Sequence, residues 1–228
     1  MRNIQLVLEY DGSRYAGWIR TGKDESTNTV SNKILEVIEK MTEEAKIELF
    51  CGCRTEVGVH AYNQVVNFKT HTPLSVKDIK QYMNRYLPMD IVVLEVYEKP
   101  ERFHSTLNAL SRTYLYRIAI GDAPSVFERK YQFYSFKKPN IELMKEAANS
   151  LIGEHDFAKF TSAKRTKSTI KEISSIDIYE DTKEIQITIT ANDFLHNMAR
   201  MVIGTLIDIG IEKRPVSDIN LILNTKSP

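Results

Sequence analysis

SRTYLYRIAI, residues 111–120, sends Arg112, Tyr114, Tyr116, Ile118 and Ile120 to one side of an extended chain and Thr113, Leu115 and Arg117 to the other, the two-residue period of a half-buried β-strand. What makes the stretch decisive is its place: an element order already completed upstream begins again here. Its earlier counterpart is NIQLVLEY (3–10), with Ile4, Leu6, Leu8 and Tyr10 on one face. A turn at Asp11 and Gly12 follows. TNTVSNKILEVIEKM (27–41) then carries Val30, Ile34, Val37, Ile38 and Met41 at helical spacing behind a cap at Thr27, Asn28 or Thr29. IELFCGC (47–53) and YNQVVNFKT (62–70) read as strands, a helix from Ser75 presents Ile79, Tyr82, Met83 and Tyr86 on one side, and IVVLEVYEK (91–99) closes the set. The order is βαββαβ.

Downstream of residue 111 the same order predicts a strand, a helix over IELMKEAANSLIG (141–153) stopped by Gly153, strands near 169–180 and 184–191, a helix over 194–209 stopped by Gly210, and a short helix near 217–223. The second set is expected to lack its closing strand. Two ferredoxin-like split-βαβ halves, 1–105 and 106–228, predict an α+β fold. Their strands are expected to join in one mixed, mostly antiparallel sheet with helices on one face, and a cleft between the halves is the natural place for a site.

The 228 residues, 42% hydrophobic and 27% charged, have the composition of an ordinary globular chain rather than a disordered one. No apolar run approaches the roughly 18 residues of a membrane span, and the N-terminus enters a strand pattern without a signal-peptide core, so a cytoplasmic protein with no membrane association is expected. Cys51 and Cys53, two apart, read as small core residues and are too few for a metal cage. His71, His104 and His155 are too scattered to suggest a metal, Trp18 reads as packing, and neither metal nor cofactor is expected. Net charge is only +1, so any affinity for phosphate must come from local clusters. Residues 109–138 hold six Lys or Arg against two acids, and residues 159–171 hold Lys159, Lys164, Arg165, Lys167 and Lys171 against none.

The chemistry-bearing residues fall in three places. CRTEVGVHAYNQVV (53–66) crowds Arg54, Glu56, Gly58 and His60 into a short loop ahead of a strand. The strand 111–120 sets Arg112 beside Tyr114 and Tyr116, a platform on which a flat base would stack, or else simply a tyrosine-rich core face. In 194–209, His196 and Arg200 share a helical face beside the apolar stripe of Phe194, Met198, Val202 and Leu206. An arginine that close to buried surface usually needs a carboxylate. Pairing of Glu56 with Arg200 across the cleft would explain both groups, the carboxylate held ionised and the guanidinium bound bidentately.

Read together, these segments resemble the TruA-type tRNA pseudouridine synthases. LEYDGSRYAGWIR resembles the opening strand and turn, CRTEVGVHAYNQVVNF the catalytic loop, FHSTLNALSRTYLYRI the tyrosine strand, GEHDFAKF the helix exit, and NDFLHNMARMVIGTLIDIG the arginine helix. The resemblance implies the pseudouridine synthase fold and a cofactor-free isomerase that flips a uridine out of tRNA, breaks its N1 glycosidic bond and rejoins the base through C5. It implies Glu56, Arg200 and Tyr114 as catalytic residues, with Tyr114 under the target base, and Arg54 as the residue that fills the vacated stack. His60, Arg112, Lys164, Arg165 and Lys167 are read as further RNA contacts, with capping of its own loop as the alternative for His60. Action on the anticodon arm as a homodimer is implied as well.

The sequence departs from the resembled pattern at Glu56, where the family has aspartate, and at Ala16, Ile19, Ser31, Asn32 and Met201. Two other functions are therefore kept beside the isomerase: a catalytically silent tRNA-binding or tRNA-folding protein of the same fold, and a C-glycosidic isomerase acting on a free nucleotide.

Overall fold

The alternation of residues 3–10 becomes strand β1 (Arg2–Tyr10), with Ile4, Leu6, Leu8 and Tyr10 buried, in the computed structural model of the chain, which describes residues 1–19, 26–162 and 168–224. Helix α1 (Val30–Thr42) follows, its first turn capped by the Thr29 side chain accepting from the Asn32 N–H. Then come β2 (Leu49–Cys51), β3 (Ala61–Thr70), α2 (Val76–Tyr86), capped by Ser75 on the Asp78 N–H, and β4 (Ile91–Lys99). These four strands form an antiparallel sheet in the order β2-β3-β1-β4, with Leu6 opposite Val66 on one side and Val96 on the other. One core takes the inward residues of β1 together with Val30, Ile34, Ile38 and Met41 of α1 and Ile79 and Met83 of α2. Burying apolar area at roughly 25 cal/mol per Å² is what holds these amphipathic elements together. Trp18 lies in this core, 1% exposed, as the sequence led us to expect.

The other side chains of the sheet include a buried polar set. Asn3 donates to the carbonyls of Pro100 (3.0 Å) and Phe103 (2.9 Å), and Asn67 donates to Asn3 Oδ1 (2.9 Å). Asn67 Oδ1 accepts from both the backbone N–H and the hydroxyl of Ser105, each at 2.8 Å. Segment 100–106 is thereby stapled across the strands, and Thr106 donates to the Cys51 carbonyl (2.7 Å) at the end of β2.

The chain divides into two units, Met1–Ala109 and Leu110–Pro228, where the sequence reading drew the line after residue 105. The second unit contains β5 (Arg112–Ala119), β6 (Phe133–Tyr134), α3 (Ile141–Asn149), β7 (Gly153–Asp156), β8 (Ile170–Glu180), β9 (Glu184–Ala191), α4 (Met198–Gly210) and α5 (Asp218–Asn224). Its sheet runs β6-β5-β9-β8-β7, antiparallel except for the β5–β6 pair. Ile118, Ile185, Ile187 and Ile189 of the sheet share a core with Met144 of α3 and with Val202 and Leu206 of α4.

The α+β class stands, with three corrections of detail. The strands hydrogen-bond into two sheets among the described residues, not one. Helix α3 ends at Asn149, because Gly153, at φ +106, opens β7 rather than closing a helix. Helix α4 begins at Met198 rather than at residue 194, because Asn197 sits in the left-handed region at φ 61; His196 and Phe194 therefore precede the helix, and His196 does not share a helical face with Arg200. No strand follows α4 among the described residues, and none of their helices is long and apolar enough to cross a membrane.

Candidate active site

Loop 52–60 of the first unit is fixed by its backbone before any side chain acts. The Thr55 carbonyl accepts from the Trp18 N–H at 2.9 Å, and the Thr55 hydroxyl shares a buried 2.8 Å hydrogen bond with the Tyr10 phenol. Burial pushes that phenol well above its ordinary pKa, so it stays protonated. The Val59 N–H closes a turn on the Glu56 carbonyl at 3.1 Å, and the Gly52 N–H donates to the Val65 carbonyl at 2.9 Å. Two glycines allow the neighbouring turn to come this close. A Cβ at Gly12 would fall 2.0 Å from the Val59 carbonyl oxygen, and one at Gly17, where φ is +84, would lie 3.0 Å from the Thr55 carbonyl oxygen. On this frame Arg54 is exposed, Glu56 and His60 are half-buried, and Val57 is exposed. His60 turns its Nδ1 back to the turn, accepting from the Gly12 N–H at 3.1 Å and lying 3.1 Å from Asp11 Oδ1.

In the second unit, the period-two face of β5 carries the expected group. Tyr114 meets Phe194 edge to face, with ring centroids 4.9 Å apart, and both Tyr114 and Tyr116 pack against the core. Burial pushes the Tyr116 phenol up, and the nearby positive charge of Arg200 pulls it part of the way back. Arg200 itself is exposed on α4. Arg200 of α4 thus lies near Tyr116 of β5, and both tyrosines form part of the core face. Arg112 is committed to the turn ahead of α4, with Nη1 3.2 Å from Asp193 Oδ1 and donating to the Asn192 carbonyl at 2.9 Å. Lys171 also reaches Asp193, at 3.0 Å.

The two basic clusters come out differently from their sequence appearance. In the first, Arg117 is paired with Glu128 and Glu184, Lys137 with Glu212 and Lys138 with Glu180. Arg129 and Lys130 stand in an exposed stretch with Phe127, which is 88% exposed. Of the second cluster, Lys164, Arg165 and Lys167 lie outside the described residues. Glu56, Arg54 and His60 belong to the first unit; Arg200, Tyr114 and Arg112 belong to the second.

Sequence reasoning passed over Phe194, Asp193, Thr55 and the Asp11–Gly12 turn as parts of the site. Asp193 and Asp11, partners of Arg112 and His60, left no signal, because they are 81 and 49 residues away along the chain.

Comparison with known proteins bears on the same segments. A family model described as tRNA pseudouridine synthase matches residues 6–107 and 147–228. Over 228 residues, 99% of this chain and 91% of the relative, the sequence is 41% identical to tRNA pseudouridine synthase A 2 of Bacillus anthracis. It is 43% identical to tRNA pseudouridine synthase A of Bacillus sp. (strain KSM-64), covering 92% of that protein. It is 44% identical to tRNA pseudouridine synthase A 1 of Clostridium tetani, covering 91% of it.

Proposed function

The chain belongs to the tRNA pseudouridine synthase family, and from that membership we propose that it converts uridine to pseudouridine in the anticodon arm of tRNA, as a homodimer, with Glu56 as the reacting carboxylate. The bonds balance without a redox partner. The N1–C1′ bond breaks, the base turns, the C5–C1′ bond forms, N1 takes up a proton and C5 gives one up. Glu56 serves as nucleophile or as base, and Arg200 is the catalytic arginine of this reading. The Tyr114 ring lies under the flipped base. Arg54, exposed on the loop, fills the stack the base has left and offsets an unstacking cost of a few kcal/mol.

The observation that carries this reading is the loop itself: a half-buried carboxylate beside an exposed arginine, on a backbone held by Thr55, Trp18 and two close-packed glycines. A reacting group displaced by about 1 Å can lose roughly 100-fold in rate, so a rigid loop is what such chemistry requires. The test is nucleoside analysis by mass spectrometry after incubating the purified protein with tRNA from cells lacking the usual enzyme. Appearance of pseudouridine in the anticodon arm supports the proposal, and unchanged uridine throughout refutes it.

One observation favours a second reading. Glu56 stands where the resembled family pattern has aspartate, which fits a silent tRNA-binding protein. That protein would bind tRNA in a salt-sensitive way, keep its affinity in Glu56→Ala and form no pseudouridine.

A further inference from the structure

Two neighbours compete for one nitrogen of His60. Its Nδ1 lies 3.1 Å from the Gly12 backbone nitrogen and 3.1 Å from Asp11 Oδ1. A ring nitrogen has one in-plane position, filled by a lone pair or by a hydrogen. Nδ1 therefore accepts from Gly12 or donates to Asp11, and does not do both. The Gly12 side of this choice has more at stake. Gly12 is buried, and its α-carbon faces the Val59 carbonyl too closely for any side chain. Losing the acceptor leaves a buried N–H unsatisfied. Asp11 Oδ1 is partly exposed and already accepts the Ser13 N–H at 2.8 Å.

We propose that His60 is a positioning residue for the carboxylate loop. With its proton on Nε2, it clamps residues 56–60 to the turn after β1 through the Gly12 N–H, and loss of Nδ1 as an acceptor opens the clamp. The path to the reacting group is short, since the Val59 N–H, one residue before His60, holds the Glu56 carbonyl. Among the described residues, the charged groups of the turn and its surroundings include Asp11, 3.1 Å from Nδ1, and Arg14 with Asp90, which lie 3.6 Å apart; the Tyr15 hydroxyl donates to Asp90. The inference rests on the reading of Glu56 as the reacting carboxylate, and it differs from an RNA-contact role for His60.

The experiment measures pseudouridine formation and tRNA binding separately for wild type, His60→Ala and His60→Asn. An asparagine Oδ1 reaches the place of Nδ1, accepts from Gly12 and takes up no proton. His60→Ala is expected to lower kcat about 10- to 100-fold with tRNA affinity essentially unchanged. His60→Asn is expected to recover most of that loss. The protection of the Gly12 amide against hydrogen exchange, read by NMR on the protein alone at one pH, should fall in His60→Ala but not in His60→Asn. If His60→Ala does not fold, His60→Gln, whose amide reaches the Nε2 side, replaces it with the same expectations. Weakened tRNA binding at unchanged kcat would make His60 an RNA contact and overturn the proposal, as would Gly12 exchange that is the same in every variant. If wild type forms no pseudouridine, the functional reading fails alone, and Gly12 exchange still decides the clamp.

Discussion

Glutamate at position 56 reaches one methylene further than an aspartate from the same backbone, and the loop has little freedom to absorb the difference, since Thr55 on one side and Val59 on the other are both hydrogen-bonded. A site built around the longer side chain should work worse with the shorter one. Glu56→Asp is expected to lower kcat about 10- to 100-fold, and Glu56→Ala at least about 1000-fold, with tRNA affinity retained in both. Single-turnover assays with saturating enzyme separate the two quantities. A gain of activity in Glu56→Asp would instead identify a silenced enzyme. Glu184 offers a stability test at the same scale. Burial pushes its carboxyl up, but hydrogen bonds from Gln186, Arg117 and Gln132 and the charge of Arg117 outweigh burial and hold it below the usual carboxylate range. A carboxylate depressed by folding stabilises the native state above its unfolded pKa, and that contribution disappears as pH falls through the folded value. Glu184→Gln should therefore cost about 1 to 3 kcal/mol at neutral pH, with the gap from wild type closing as the pH drops below about 4 in urea melts.

Elements locate these residues. Strand β1 ends at Tyr10, whose phenol holds Thr55, and the turn that follows presents Gly12 to the back of the carboxylate loop. Gly12→Ala places a methyl carbon against a backbone carbonyl that no rotamer can move aside. We expect a loss of about 2 to 3 kcal/mol in denaturant melts and a fall in kcat larger than the stability change explains. Helix α4 shows how a local signal misleads. Its apolar spacing runs back to Phe194, yet Asn197 in the left-handed region stops the helix at Met198. Residues 194–196 are spent on tertiary contacts instead: Phe194 on Tyr114, and the His196 carbonyl on the Thr161 hydroxyl at 2.9 Å.

At the scale of the molecule, the net charge of +1 gives no general attraction for RNA, so the proposed tRNA binding depends on local clusters of exposed cations; Arg54, Arg129 and Lys130 are exposed. Neutralising even a few phosphates makes affinity salt-dependent. We expect tRNA affinity to fall at least about tenfold between 50 and 200 mM salt in filter-binding assays. Within the first unit, the Asn3–Asn67–Ser105 network fastens the last segment of the unit to strands far away in sequence. Asn67→Ala orphans the Ser105 N–H and Asn3 Oδ1, and should cost about 3 kcal/mol by thermal or urea unfolding. Sedimentation at several concentrations tests the proposed homodimer.

The sequence alone determined the α+β class, the βαββαβ order of the first unit, the core faces of β1, α1 and α2, and the loop, strand and helix that carry Glu56, Tyr114 and Arg200. These follow from side-chain periodicity and capping, which are set within a few residues of each position. Only the tertiary structure decided that the strands form two sheets, that β6 and β7 exist as short additions, and that α4 starts at Met198. It also decided that Arg112 turns to Asp193 and that His60 turns to Gly12. Each of those outcomes depends on which distant groups meet, and a hydrogen bond or ion pair between residues dozens of positions apart leaves no period in the chain for a reader to find.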